Sequence, residues 1–212
     1  MTKPLLIANL SRSDQIAQYT RGYGRIAQDL LDQGWSPFLL VLKFRHLGGR
    51  RTTMLAQIQA AAERAYAQVL TRVWRHPRVA SVRDLRPVWI LVPDVPVPKS
   101  EKVHLRELIP NDGVHLQGVA MMPPGGRLRV PLDVHLAQAG NRYCPPDSPL
   151  TSIHATPITS DLPYVNRYNF KGVFRGRASA DDVLLLPRSS AELDSRPHPA
   201  AEPWRPLVRA AS

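Results

Sequence analysis

Three short apolar runs most constrain the fold of this 212-residue chain. They are Phe38–Phe44, Val88–Val92 and Val114–Met122, and polar or turn-forming residues separate them. Runs of this length predict buried β-strands, because a membrane-spanning helix needs about 20 apolar residues. Along the third run successive side chains point to opposite faces, so His115 and Gln117 are expected on the same side of the strand.

Helical periodicity surrounds these strands. Apolar residues recur every three or four positions in residues 12–33 and in a second segment that Thr52 or Thr53 can cap. Residues 151–158 predict a fourth strand, whereas residues 127–150 fit either a short strand or helix followed by a loop. This order of elements predicts an α+β fold in which helices pack on a central antiparallel sheet.

Composition divides the chain into three parts. We interpret residues 1–34 as an N-terminal helical extension, residues 35–187 as the folded domain, and residues 188–212 as a disordered tail rich in Pro, Ala, Ser and Arg. No apolar run approaches 18 residues and no signal peptide opens the sequence, so a cytoplasmic protein without a membrane partner is expected. The single cysteine, Cys144, excludes an internal disulfide and a cysteine-rich zinc site.

Positive charge indicates a polyanionic partner. The formal net charge is +11 and the isoelectric point is about 10.5. Residues 45–78 hold seven arginines against one glutamate, and three of these arginines lie on the polar side of the second predicted helix: Arg64, Arg72 and Arg75. A basic face on a folded body is expected to bind nucleic acid. A basic structural or ribosome-associated protein is the alternative.

Two tyrosines occupy a basic segment near the end of the predicted domain. Tyr164 and Tyr168 are four residues apart, so a helix places both phenols on one face, with Lys171 on the same side. Asp161 can cap this helix and Pro163 suits its first turn. No acid occurs in residues 164–177, whose basic residues are Arg167, Lys171, Arg175 and Arg177. Such a segment favours contact with phosphate, although two half-buried tyrosines on a solvated basic helix is a simpler interpretation.

The ordered set of motifs resembles the HUH endonuclease superfamily, which includes the initiators of rolling-circle replication in plasmids and phages, relaxases and transposases. Its members carry an apolar strand, a strand with a His-hydrophobic-His pair, and a downstream helix with one or two nucleophilic tyrosines. The corresponding segments here are Phe38–Phe44, Gly113–Pro123 and Tyr164–Lys171. The third is similar to the Tyr-x-x-x-Tyr-x-x-Lys pattern of two-tyrosine phage initiators. Gln117 stands where the second histidine is usual, a variant known in the superfamily.

The resemblance implies an HUH-like nuclease domain with a divalent cation, Mg²⁺ or Mn²⁺, bound by His115 and Gln117. An amide oxygen can bind such hard cations, although it is a weaker ligand than imidazole for softer ones. For the third ligand Asp94 is the first candidate, and His154 and Glu107 are the alternatives. A single histidine on a strand is also common as an ordinary polar residue.

The resemblance further implies that the protein nicks single-stranded or origin DNA. Tyr164 or Tyr168 would attack a phosphate, giving a 5′-phosphotyrosine link and a free 3′-hydroxyl that a host polymerase extends while a host helicase unwinds the duplex. A phenol ordinarily titrates near pH 10, so attack needs a metal-polarised phosphate or a nearby base. Lys171 would assist a phenol or clamp a phosphate. The arginines expected to hold DNA are Arg64, Arg72, Arg75, Arg167 and Arg175.

A second function is open on the same fold. Loss of the second histidine can leave a protein that binds single-stranded nucleic acid by charge and stacking but cleaves nothing. Binding without cleavage distinguishes this function from the nuclease.

Overall fold

A computed structural model describes residues 11–94 and 115–188 of the chain. The helices are α1 (Arg12–Asp32), α2 (Arg51–Val73), α3 (Leu132–Tyr143), α4 (Leu162–Asn169) and α5 (Lys171–Phe174). The strands are β1 (Ser36–Phe44), β2 (Val88–Asp94), β3 (His115–Met122), β4 (Leu150–Pro157) and β5 (Leu184–Leu186). Glu107 lies outside the described residues, as does the predicted disordered tail except for its first residue, Arg188.

The five strands form one antiparallel sheet in the order β4-β1-β3-β2-β5. β3 lies at the centre, between β1 and β2. The predicted α+β class with a central antiparallel sheet is therefore confirmed. Among the described residues β5 pairs only with Trp89–Leu91, so Pro93 and Asp94 extend beyond it at the end of β2. A proline suits this position because it has no N–H to offer a neighbouring strand.

Helices cover both faces of the sheet with separate hydrophobic cores. Leu40 and Leu42 of β1 face a core shared with α2 and α3. The opposite core joins the sheet to α1, α4 and α5, and it contains Ile16 and Ala27 of α1 together with Trp35. Residues on both sides of the predicted boundary at residue 34 thus share one core. Within the described part of the chain, no helix is both long and apolar enough to cross a membrane.

Two local features differ from the sequence-based expectation. The N-cap of α2 is Arg50, with no side-chain hydrogen bond to the helix, so the predicted cap by Thr52 or Thr53 is wrong. Both threonines lie inside the first turn. The segment left open at residues 127–150 contains a 12-residue helix, α3, whose buried face includes Leu132 and Leu136. Few apolar residues mark that face, which is why its periodicity is weak.

Gly118 is the point where β3 approaches β2 most closely. A Cβ atom there would lie 1.8 Å from the carbonyl oxygen of Ile90. We therefore expect Gly118→Ala to lower the free energy of unfolding by about 3 kcal/mol, because backbone must shift. Gly22→Ala in α1 is the matched control: a Cβ there meets no described atom within 4 Å, and alanine favours a helix by about 1 kcal/mol.

Chemical denaturation of both glycine variants measures this difference. Equal free energies of unfolding for Gly118→Ala and the parent protein would contradict the close approach of the two strands.

Candidate active site

Helix α4 presents the two tyrosines at the surface. Asp161 precedes the helix in the left-handed conformation (φ 50°), and its carboxylate accepts a hydrogen bond from the Tyr164 N–H at 3.0 Å. This confirms the predicted cap. Tyr164 and Tyr168 are 62% and 48% exposed, and their rings stack with centroids 6.3 Å apart. Both phenols therefore share one exposed face, as the four-residue spacing predicts.

The helix does not continue through Lys171. α4 ends at Asn169, and Phe170 (φ −82°, ψ 2°) separates it from the short helix α5. Phe170 is buried and stacks on Tyr23 of α1, with ring centroids 5.6 Å apart. Lys171 nevertheless lies beside Tyr168, because its Nζ donates a hydrogen bond to the phenol oxygen at 3.1 Å. The predicted proximity of the two side chains is confirmed, whereas the continuous helix is wrong.

Lys171 also joins α5 to the end of β2. Its Nζ lies 2.9 Å from Oδ2 of Asp94, whose side chain is only 10% exposed. Gly172 follows Lys171 in α5, and a Cβ on this glycine would lie 3.4 Å from the Pro93 carbonyl oxygen, an ordinary van der Waals contact, so α5 packs directly on this strand. Burial lowers the pKa of Lys171, but hydrogen bonds to Asp94 and Tyr168 outweigh burial and raise this pKa above its ordinary value of 10.5. Lys171 is therefore charged at neutral pH.

His115 lies directly opposite Asp94 in the sheet. The two residues pair between β2 and β3, and Nε2 of His115 is 3.4 Å from the same Asp94 oxygen that Lys171 contacts. Burial lowers the pKa of His115 below 6.5; Asp94 opposes this change, while Lys171 and Lys43 add to it. The ring is therefore neutral at neutral pH, which is the form that binds metal ions.

Gln117 extends this cluster one step along β3. Its side chain is 7% exposed, and Nε2 is buried without a hydrogen-bond partner among the described residues. Rotating the amide by 180° would put Oε1 in this place, and oxygen is the atom that hard divalent cations prefer. The described residues contain no metal-binding group of three or more His, Cys, Asp or Glu side chains. His115, Asp94 and Gln117 carry atoms of the kinds that bind Mg²⁺ or Mn²⁺, and Oδ2 of Asp94 also pairs with the Lys171 ammonium.

His154 is not placed to complete that donor set. Val41 of β1 pairs with Gln117 on one side and with His154 on the other. Two strand spacings, about 10 Å, thus separate His154 from Gln117. Of the predicted candidates for the third ligand that the structure describes, Asp94 is the one beside His115.

Lys43 also belongs to this site, although the sequence did not single it out. Leu42 pairs with Leu116, so the next residue of β1, Lys43, comes beside His115 at the ends of their strands. Its charge acts on the His115 ring. Alternation along β1 indicates that Lys43 and Leu42 face opposite sides, but only the register between β1 and β3 shows that Lys43 lies near the histidine.

The predicted DNA-binding arginines divide between the two sides of the sheet. Arg167 and Arg175 are exposed on α4 and directly after α5, on the same side as the tyrosines. Arg64, Arg72 and Arg75 are exposed on α2 or just beyond it, and α2 packs on the other face. The structure therefore does not bring these five arginines to one surface.

Comparison of the chain with protein-family models, curated proteins and solved structures gave no significant match. The resemblance to the HUH superfamily thus stays a prediction from the motifs.

Asp94 is expected to hold α5 against the sheet. Asp94→Asn removes the ion pair with Lys171 at nearly constant volume, and it should lower the free energy of unfolding by about 1–2 kcal/mol, because the pair is largely but not fully buried. Amide hydrogen exchange in residues 168–172 should become faster. Asp32→Asn is the control: this exposed carboxylate at the end of α1 accepts a hydrogen bond from Gln28, and its loss should change stability by less than about 0.5 kcal/mol.

Exchange in residues 168–172 that is unchanged by Asp94→Asn would show that the ion pair does not hold α5 in place.

Proposed function

We propose that this protein nicks single-stranded DNA through a tyrosine nucleophile, with a divalent cation as cofactor. The observation that carries the proposal is the position of Lys171. Its ammonium contacts the phenol oxygen of Tyr168 and the carboxylate of Asp94, which also lies beside His115. One side chain thus connects the two-tyrosine helix with the histidine strand, although the two segments are far apart in sequence. The motif order alone does not require this contact.

Tyr168 is the better-placed nucleophile of the two tyrosines. Its oxygen accepts a hydrogen bond from the Lys171 ammonium, which also lies 4.3 Å from the centroid of the ring. The Tyr164 hydroxyl has no hydrogen-bond partner among the described residues, and its ring is the more exposed. A positive charge next to the attacking oxygen attracts a phosphate group.

The proposed reaction exchanges one phosphate ester for another. The Tyr168 oxygen forms a bond to phosphorus, and the bond from phosphorus to the 3′ oxygen breaks. The phenol proton passes to solvent, and the leaving 3′ oxygen takes a proton from water. The 5′ end of the DNA is then linked to tyrosine, and the 3′-hydroxyl is free to prime synthesis. Tyr164, whose ring stacks on Tyr168, would cleave a regenerated site in a later round.

The other residues of the site would bind the metal ion and the DNA backbone. A Mg²⁺ or Mn²⁺ ion bound by His115, Asp94 and Gln117 would polarise the scissile phosphate and neutralise charge on its oxygens. The β2–β3 pairing puts His115 and Asp94 directly opposite each other. Arg167, exposed on the tyrosine helix, would contact a neighbouring phosphate of the DNA backbone.

The stacked tyrosines also favour a second candidate function, the binding of single-stranded nucleic acid without cleavage. Two exposed aromatic rings on a basic helix can stack on bases of any sequence. This function needs neither a metal ion nor a free phenol oxygen. Both tyrosines would then be replaceable by phenylalanine without loss of affinity.

Covalent adducts distinguish these functions. Labelled single-stranded DNA that includes candidate origin sequences is incubated with the protein and Mn²⁺, and adducts are separated on a denaturing gel. We expect Tyr168→Phe to reduce adduct formation by at least about 10³-fold, because the nucleophile is removed, and EDTA to abolish it. Tyr164→Phe should retain the first cleavage.

Tyr19→Phe, which changes an exposed tyrosine on α1, is the matched control and should behave like the parent protein. Tight binding of origin DNA without an adduct would support the binding-only function and contradict the nuclease.

Metal binding can be measured separately from cleavage. In titrations with Mn²⁺ followed by electron paramagnetic resonance, His115→Ala should weaken binding at least about tenfold, because a ligand is lost. Gln117→His should strengthen binding of Mn²⁺ more than that of Mg²⁺, since imidazole suits the softer cation. His154→Ala is the control and should leave the affinity unchanged. Equal losses for the two alanine variants would contradict the proposed donor set.

A further inference from the structure

A polar cleft lies between α2 and α3, on the face of the sheet opposite to the tyrosines. Its volume is about 150 Å³. Ligand pockets for whole small molecules usually enclose about 300–1,000 Å³, so this cleft suits a single group of atoms. Its polar lining residues are Gln68, Thr71, Arg72, His135, Arg142 and Tyr143.

A histidine and a tyrosine form a fixed polar wall of the cleft. Nε2 of His135 and the hydroxyl of Tyr143 are 2.7 Å apart, and the two rings meet edge to face with centroids 5.8 Å apart. Tyr143 is 4% exposed and belongs to the core beneath α3, so packing holds its position. A ligand in the cleft would meet polar atoms that are already oriented.

Two arginines give the cleft its charge. Arg72 lies in the last turn of α2 and Arg142 in the last turn of α3, and both are exposed. Neither forms an ion pair with a carboxylate of residues 11–94 or 115–188. Burial lowers the pKa of His135, and both arginines lower this pKa further. Burial raises the pKa of Tyr143, and the same two arginines oppose that change.

Helix stabilisation explains only part of this arrangement. A cation in the last turn of a helix interacts favourably with the helix dipole, which accounts for one arginine on each helix. It does not account for two arginines from different helices that act on the same histidine and tyrosine across a concave surface. Such convergence of positive charge and hydrogen-bonding groups is typical of phosphate sites.

We propose that this cleft binds a phosphate group of a single-stranded DNA backbone through Arg72 and Arg142. Arg64 and Arg75 continue the positive charge along and just beyond α2, which favours a chain of phosphates over one free phosphate ion. The site is separate from the tyrosine surface; the choice of single-stranded DNA as its ligand rests on the proposed function, whereas binding there needs no cleavage. It gives the protein a second DNA contact on the opposite face of the sheet.

The first test measures DNA affinity in EDTA, on a Tyr164→Phe/Tyr168→Phe background, so that cleavage plays no part. Arg72→Ala/Arg142→Ala should weaken binding of a 20-nucleotide oligo-dT about tenfold or more. The slope of log K against log salt should fall by about 0.7, because the cleft holds one phosphate and each phosphate contact to a single strand contributes about that much. Arg83→Ala/Arg129→Ala removes the same charge from two exposed arginines outside the cleft, and it should weaken binding less than about threefold.

Equal losses for the two double variants would overturn the proposal, because net charge alone would then explain the binding. If the alanine variant is unstable, the conservative pair Arg72→Lys/Arg142→Lys is used instead, because lysine keeps a positive charge in the last turn of each helix. Lysine lacks the planar fork of arginine, so this pair should still bind more weakly than the parent protein. Parent-like affinity for the lysine pair would overturn the proposed phosphate contact by the two guanidinium groups.

The second test follows the imidazole resonances of His135 by nuclear magnetic resonance at constant pH. Oligo-dT should shift them in a saturable manner in the parent protein and not in the alanine pair. A shift by inorganic phosphate together with none by oligo-dT would overturn the proposal in favour of a small phosphate ligand. Cleft variants that bind weakly but form the tyrosine adduct normally at saturating DNA would separate this site from the proposed nuclease site.

Discussion

The register between β2 and β3 is the constraint on which the candidate active site depends. It places Asp94 directly opposite His115, at a point where β2 extends beyond the strand that flanks it. There α5 packs against the end of β2, and Lys171 reaches the carboxylate. A shift of the register by one residue would turn Asp94 away from the histidine and remove the anchor of the tyrosine helix.

The two faces of the sheet carry different positively charged surfaces. On one face, α4 and α5 combine two exposed tyrosines with Lys171 and with a set of possible metal ligands. On the other face, Arg72 of α2 and Arg142 of α3 line a small polar cleft. Nearly all the net charge of +11 lies before the tail, in keeping with charge distributed over a folded body. The proposed contacts on both faces give the basic composition a structural explanation.

Local patterns in the sequence predicted the elements of the site but not their arrangement. Apolar runs marked the strands, and Asp161 marked the start of the tyrosine helix, because both signals depend on neighbouring residues. The position of Lys43 beside His115 depends on strand pairing, which the sequence does not specify. The break at Phe170 depends on packing against Tyr23, a residue of a distant helix. For the same reason, the sequence alone does not show that Asp94, one of three candidate ligands, lies opposite His115.

Peptide mapping of a DNA-linked protein tests the central claim most directly. After incubation with origin-like single-stranded DNA and Mn²⁺, trypsin cleavage following Arg167 separates Tyr164 from Tyr168, and mass spectrometry then locates the nucleotide remnant. We predict the remnant on the peptide Tyr168–Lys171, and its loss when EDTA replaces the metal. A remnant on a residue outside α4, or none on protein that binds the same DNA tightly, would contradict the proposed tyrosine nuclease.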